Sequence, residues 1–195
     1  MNLTYLPGQT PLDPNEIEGL IPEHIVLQRE LNEFEQQNIT KAVTKYYSPG
    51  AKINLADPLV IRRIHRDMFD DTWKWAGQFR TTIKSIGVFP EKISGELKRA
   101  CDDLAFWLKN ETYPLDETAV RFHFRLVWIH LFPNGNGRHA RLIADILALS
   151  KRRSPFTWGG GNLNVSGAAR AAYITALKQA DKNDFSALLA MSRSD

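Results

Sequence analysis

The chain has 195 residues, 43% of them hydrophobic and 24% charged, with a net charge of +3. Those values suit one soluble domain with its own core, and so small a charge, scattered apart from Lys151-Arg152-Arg153, does not imply nucleic acid. No run approaches the roughly 18 apolar residues of a membrane helix, the N-terminus lacks a basic region followed by an apolar one, and the single cysteine, Cys101, cannot form an internal disulfide, which favours a reducing cytoplasm.

The first 22 residues hold four prolines and two glycines and read as an irregular arm. Within it Asp13 can cap a helix with Pro14 at its first position, about two turns long, through Asn15, Glu16, Ile17 and Glu18 until Gly19 stops it. By composition alone its acids form a solvated face. From Pro22 to Tyr47 a helix is predicted, its apolar stripe made by Ile25, Leu27, Leu31, Phe34, Ile39 and Val43. After Ser48-Pro49-Gly50, Asp57 and Pro58 start another that runs to about Asp71 and buries Leu59, Val60, Ile64 and Met68. His65 in that helix reads as a surface or core histidine.

Residues 73 to 93 break the helical habit. Thr81, Thr82, Ile83, Ile86, Val88 and Phe89 are strand formers around a bend at Ser85 to Gly87, which predicts a short β-hairpin leaning on helices. A helix follows over 92 to 111, with Ile93, Leu97, Cys101, Leu104 and Leu108 on one face; Cys101 there is a packed small hydrophobe. Beyond the motif region a glycine-rich loop leads to an alanine-rich helix over 168 to 180, and Asn183 starts a last one. Tyr173 either joins the core or borders a ligand.

The densest polar chemistry lies between two predicted helices. Val120, Phe124, Val127 and Trp128 form one buried face before it; Leu142, Ile143, Ile146, Leu147 and Leu149 form another after it. The connecting stretch is HLFPNGNGRHAR, residues 130 to 141. Gly135 and Gly137 allow positive φ and close approach of a ligand, and the second helix points unpaired N–H groups into the loop. Arg138 and Arg141 lie three residues apart at that helix start, where a cation costs roughly 0.3–1 kcal/mol unless an anion compensates it. A polyphosphate matches the guanidinium forks, and His130 is placed to act as a base beside it. Zinc chemistry by His123, His130 and His139 is a poor alternative, because their spacing does not resemble HExxH.

The joint spacing of His130, Phe132, Asn134, Gly135, Asn136, Gly137, Arg138 and Arg141 resembles the Fic-domain signature HxFx[DE]GNGRxxR. Together with TPLDPNEIEGLIP, LNEFEQQNI and WKWAGQFRTT, it is similar to the Fic group called mobile mystery protein B. The resemblance implies an all-α Fic fold, a compact helical bundle with a small β-hairpin flap, divided into an arm over 1–21 and a Fic domain over 22–195. It implies that His130 deprotonates a target hydroxyl, and that Gly135, Asn136, Gly137, Arg138 and Arg141 hold the phosphates of ATP. Asn134 falls at the Mg²⁺-holding position, where its neutral amide replaces the usual acid and predicts weakened metal binding. Leu131 stands where proline is usual. Trp75, Ala76, Gly77 and Arg80 match the lead-in to a target-aligning flap, at about 81 to 90. Glu18-Gly19 matches the end of the pattern [ST]xxxE[GN], whose glutamate would inhibit by pairing with Arg141, although Pro14 departs from it.

The implied function is that of a bacterial, cytoplasmic protein adenylyltransferase, moving AMP from ATP to a Ser, Thr or Tyr hydroxyl of another protein. The alternatives are a catalytically weak or inactive nucleotide-binding regulator that holds a protein partner, antitoxin-like or regulatory, and transfer of another nucleotide or phosphate-linked group.

Overall fold

The computed structural model describes residues 10–48, 53–160, 163 and 167–194, and these fold into eight α-helices. The arm forms α1 (Pro14–Ile17), a single turn where two are expected. Asp13 N–H donates to the Glu16 carboxylate at 2.8 Å, so the helix start is sealed locally.

The next helix, α2 (Gln28–Tyr46), begins six residues after Pro22, the predicted start. Glu30 explains the shift. Its carboxylate accepts from Val26 N–H at 3.2 Å and Leu27 N–H at 3.0 Å, so the orphan donors of a helix start are satisfied there. α3 (Pro58–Phe69) begins where expected, with the Asp57 carboxylate accepting from Leu59 N–H at 2.9 Å. Leu59 itself is 68% exposed and does not join the core as predicted, because the buried stripe runs through Ile61, Ile64 and Met68 instead.

α4 (Ile93–Asn110) follows a 3₁₀ turn at Pro90–Lys92. Cys101 is fully buried within α4, and burial pushes its thiol pKa up to about 12, which makes it an inert packing residue. The central antiparallel pair is α5 (Leu115–Ile129) and α6 (Asn136–Ser150), with α4 against α5 and α3 against α6. Phe122, Leu126 and Ile129 of α5 meet the core with almost no exposure, whereas Trp128, expected in that face, is 38% exposed under the Arg125 guanidinium. α7 (Ala168–Ala180) and α8 (Ser186–Ser192) close the bundle.

The hairpin over 81 to 90 is not formed; the described backbone there is irregular, and the isolated bridge among the described residues joins Leu20 to Trp73. The cause is where its polar groups go. Arg80 N–H donates to Leu131 C=O at 3.0 Å and Val88 N–H to Ile129 C=O at 3.3 Å, so the segment is stitched to the end of α5 rather than to itself. From the other side Lys84, 4% exposed at its side chain, lies 2.5 Å from Asp13 and 2.6 Å from Glu16. The arm and the motif thus hold this segment between them, while Ile83, Ile86 and Phe89 stay exposed.

Candidate active site

The α5–α6 connection opens into a cleft of about 1320 Å³ whose lining includes His130, Asn134 to Arg138, Arg141, Glu35, Arg170 and Tyr173. His130 caps α5 in the left-handed region, at φ 57° and ψ 67°, a conformation that costs a non-glycine residue of order 1 kcal/mol or more. Its backbone is fixed from both sides. His130 N–H donates to Leu126 C=O at 3.2 Å, and the His130 carbonyl accepts from Arg80 Nε at 2.6 Å.

Arg80 is 2% exposed, and its guanidinium also donates to the carbonyls of Thr82 at 2.8 Å, Val88, and Ile129 at 3.4 Å. A cation on the orphan carbonyls of a helix C-terminus satisfies both their hydrogen bonds and the dipole. Replacing Arg80 by Met is therefore expected to lower stability by about 3 kcal/mol or more, since several buried carbonyls lose their donor. A urea melt of the variant measures that, and an unchanged midpoint would refute the clamp. Arg80 was legible in the sequence only as a motif match, because two of its acceptors, the carbonyls of Ile129 and His130, come from the end of a helix about 50 residues away.

The His130 ring is 6% exposed, yet neither Nδ1 nor Nε2 has a hydrogen-bond partner. Burial, followed by the Arg80 and Lys84 cations, pulls its pKa down to about 4, so the ring is neutral at pH 7. Gly87 makes room for it. At φ 96° it lies in the left-handed region, and a Cβ there would stand 2.5 Å from His130 Cβ.

The loop is shaped chiefly by its own amides. Asn136 is 5% exposed; its Oδ1 accepts from Phe132 N–H at 2.9 Å and its Nδ2 donates to Phe132 C=O at 2.8 Å, so its side chain closes the turn. Gly135 caps α6 at φ 79° with Phe69 ring carbons 2.6 Å from where a Cβ would sit. Gly135→Ala thus combines backbone strain with a clash, and its melting temperature is expected to fall by several degrees in a scan beside the wild type. Gly137 differs from expectation. It lies inside the first turn of α6 and does not take positive φ, and a Cβ there would meet Arg141 Nη1 at an ordinary 3.5 Å.

The arginines at the helix start meet different partners. Arg138 Nη1 donates to Glu35 Oε2 at 2.6 Å and its Nη2 to Asn134 Oδ1 at 3.3 Å, with its guanidinium over the Phe69 ring. The anion that compensates Arg138 is thus a protein carboxylate from α2, itself held by Trp73 Nε1 at 2.7 Å. Sequence reasoning missed Glu35, which looks like one more acid on a polar helix. Arg141 stands over the Tyr173 ring, 5.5 Å from its centroid, and the buried Tyr173 hydroxyl shares a 2.8 Å hydrogen bond with His123 Nε2. Arg170, from α7, adds another cation to the cleft, and no motif in the alanine-rich helix marked it.

Glu18, expected to face Arg141, is exposed at the end of α1 and makes no ion pair among the described residues. The buried acid of α1 is Glu16, which also accepts from Thr82 Oγ1 at 2.8 Å. Gly19 has a packing reason of its own, because a Cβ would fall 2.7 Å from Trp75 Cδ1.

Asn134 does not present a metal site. Its Oδ1 accepts from Gly135 N–H at 2.5 Å and from Arg138, so the neutral oxygen is already engaged and a guanidinium stands against it. No group of three or more His, Cys, Asp or Glu able to hold an ion occurs among the described residues. This donor set does not fit a resident Mg²⁺, which asks for anionic or unencumbered oxygens. His123, His130 and His139 are also turned to different surroundings, with His139 Nε2 on the Ile61 carbonyl at 2.9 Å. No described helix is long and apolar enough to cross a membrane.

Comparison with known proteins agrees with this geometry. The Fic/DOC family profile matches residues 56–148, which contain α3 to most of α6 and the whole motif. Over 82 residues the chain is 35% identical to protein adenylyltransferase fic-1 of Caenorhabditis elegans, covering 38% of this chain but only 15% of that one. Over 181 residues it is 24% identical to the probable protein adenylyltransferase Fic of Escherichia coli (strain K12), covering 87% and 86% of the two chains. In structure it is similar to the BepC effector of Bartonella tribocorum, solved with AMPPNP bound, at a TM-score of 0.66 and 18% identity over 92% of this chain and 96% of that one. Bundle, motif loop and family profile coincide on the same residues: over residues 56–148 the chain is similar to the Fic/DOC family, and its bundle has the fold of solved Fic domains.

Proposed function

We propose that the chain is a protein adenylyltransferase that moves AMP from ATP to a Ser, Thr or Tyr hydroxyl of another protein. The observation that carries this reading is the His130 ring, buried in the cleft wall with both nitrogens unpartnered and neutral at pH 7. A neutral imidazole with no protein partner has a lone pair to offer an incoming hydroxyl. The start of α6, with its free N–H groups and Arg141, supplies the anion site for a triphosphate. Relatives of 24% to 35% identity are described as adenylyltransferases, and the BepC structure holds an ATP analogue.

In the proposed reaction the target hydroxyl oxygen bonds to the α-phosphorus as the bond to pyrophosphate breaks, and the hydroxyl proton passes to His130. The phosphate charges oppose the Arg80 and Lys84 cations that depress the His130 pKa, so nucleotide binding raises its basicity. Any divalent cation carried by the triphosphate belongs to the substrate. The exposed Ile86 at the cleft, with exposed Ile83 and Phe89 on the same segment, offers a surface on which a target segment could lie. Self-inhibition by Glu18 has no geometric support, since the acid on a motif arginine is Glu35.

The second reading, a nucleotide-binding regulator without transfer, is favoured by Asn134, whose amide stands where an acid is usual and is spent on Gly135 and Arg138. Incubation with ATP labelled at the α-phosphate, together with a pyrophosphate assay, separates the two. Transfer requires label on protein and one pyrophosphate per label. Retained ATP with neither product would leave the regulator.

A further inference from the structure

His65 lies on α3, outside the motif, and its ring is fully buried. Gly77 N–H donates to its Nδ1 at 3.0 Å, so that nitrogen carries the lone pair. The proton must then sit on Nε2, which donates to the Asn134 carbonyl at 3.0 Å. The hydrogen-bond partners thus select one neutral tautomer. The ring also stacks on Phe132, centroids 3.7 Å apart, and its Nε2 would lie 3.3 Å from a Cβ on Gly135. Three of the four residues from Phe132 to Gly135 therefore rest on one imidazole: Phe132 by stacking, Asn134 by a hydrogen bond and Gly135 by contact.

The other side of the ring holds a different part of the site. Gly77 takes φ 74°, and a Cβ there would stand 2.8 Å from Arg66 Cβ, so this turn is tightly seated on α3. Three residues later comes Arg80, whose guanidinium fixes the His130 carbonyl. One buried side chain therefore joins the turn that leads to the base clamp with the loop that opens the anion site. Burial first, then the neighbouring His139 and Arg138, hold the ring in its neutral form.

We propose that His65 is a positioning residue which sets the anion loop at its working distance from His130, by donating from Nε2 to the Asn134 carbonyl while accepting from Gly77 at Nδ1. This rests on the adenylyltransferase reading for its functional consequence, but the loop placement can be measured without it.

Two substitutions divide the ring's contacts. His65→Gln places an amide N–H donor near the Nε2 position and keeps the bond to Asn134, while His65→Asn places an amide oxygen near Nδ1, keeps Gly77 and loses Asn134. Both are made in the full chain and checked for folding by circular dichroism and thermal melts. Loss of one buried hydrogen bond to the loop is expected to weaken binding of the ATP analogue AMPPNP by about tenfold in His65→Asn, with His65→Gln within roughly threefold of wild type. Hydrogen exchange at the amides of residues 134 to 138 is expected to quicken in His65→Asn and to stay near wild type in His65→Gln. Equal exchange and equal binding in both folded variants would overturn the proposal, as would losses that follow melting temperature alone. If the wild type binds no AMPPNP, the functional reading fails, and the exchange difference between the two variants still decides the placement role.

Discussion

His130→Ala is expected to lower AMP transfer by a factor on the order of 10²–10⁴, the range for loss of a general base, while ATP binding stays near that of the wild type. The reasoning follows from what the ring touches. Both nitrogens lack protein partners, so removing the ring breaks no hydrogen bond within the chain, and the anion site is built from the start of α6 and Arg141. The measurement is single-turnover labelling from ATP carrying the label at the α-phosphate, with affinity taken separately by calorimetry. A variant that transfers as fast as the wild type would remove His130 from the chemistry. A variant that also loses ATP would mean that the ring holds the nucleotide and would leave the base unidentified. Left-handed backbone at residue 130 costs Ala about as much as His, and the Arg80 clamp on the carbonyl persists, so the fold should tolerate the change.

Stability is expected to fall steeply as pH drops from 6.5 towards 4. Burial is the leading cause that pulls His123 down to about 3, and His130 and His139 down to about 4; His65 is also held well below its ordinary value. In the unfolded chain each titrates near 6.5, so below that pH the unfolded state binds protons that the folded state refuses, and the equilibrium shifts towards unfolding. A folded-state pKa that is depressed leaves full stability above the unfolded pKa and removes it as pH falls. Each of the three contributes roughly 1.4 kcal/mol per pH unit below 6.5, or together on the order of 6 kcal/mol at pH 5, comparable with the whole stability of a domain. Asp145 acts in the opposite sense. Burial raises it to about 6, so its protonation favours the fold in the same window and offsets a smaller part. Thermal melts at pH 7.5, 6 and 5 check this, and a midpoint that holds level to pH 5 would show that the histidines charge in place.

The apolar periodicities of residues 58–69, 93–110, 115–129 and 136–150 carried enough information to place the helices that pack around the motif. Local rules sufficed there because a cap, a 3.6-residue stripe and a breaker all lie within one segment. The motif loop was legible for the same reason: His130, Asn136, Gly135 and the two arginines act within twelve residues of one another, and Asn136 closes the turn on Phe132 four residues away.

What tertiary structure decided lies in pairings far apart along the chain. The residues predicted as a hairpin have strand-forming side chains, but Val88 N–H is taken by the Ile129 carbonyl and the Thr82 and Val88 carbonyls by the Arg80 guanidinium, and no local pattern announces such competitors. Glu18 looked like the acid that meets a motif arginine because it sits in a familiar pattern, yet the arm turns it to solvent and brings Glu16 to Lys84. Glu35 reaches Arg138 across 103 positions, and His65 reaches Asn134 across 69. Periodicity in sequence reports which face of an element is apolar; it carries nothing about which polar group on another element will face it. In this chain the sequence determined the helices and the loop that offers a base and an anion site, and three-dimensional packing decided which carboxylate holds Arg138, which cation holds His130 and which imidazole supports the loop.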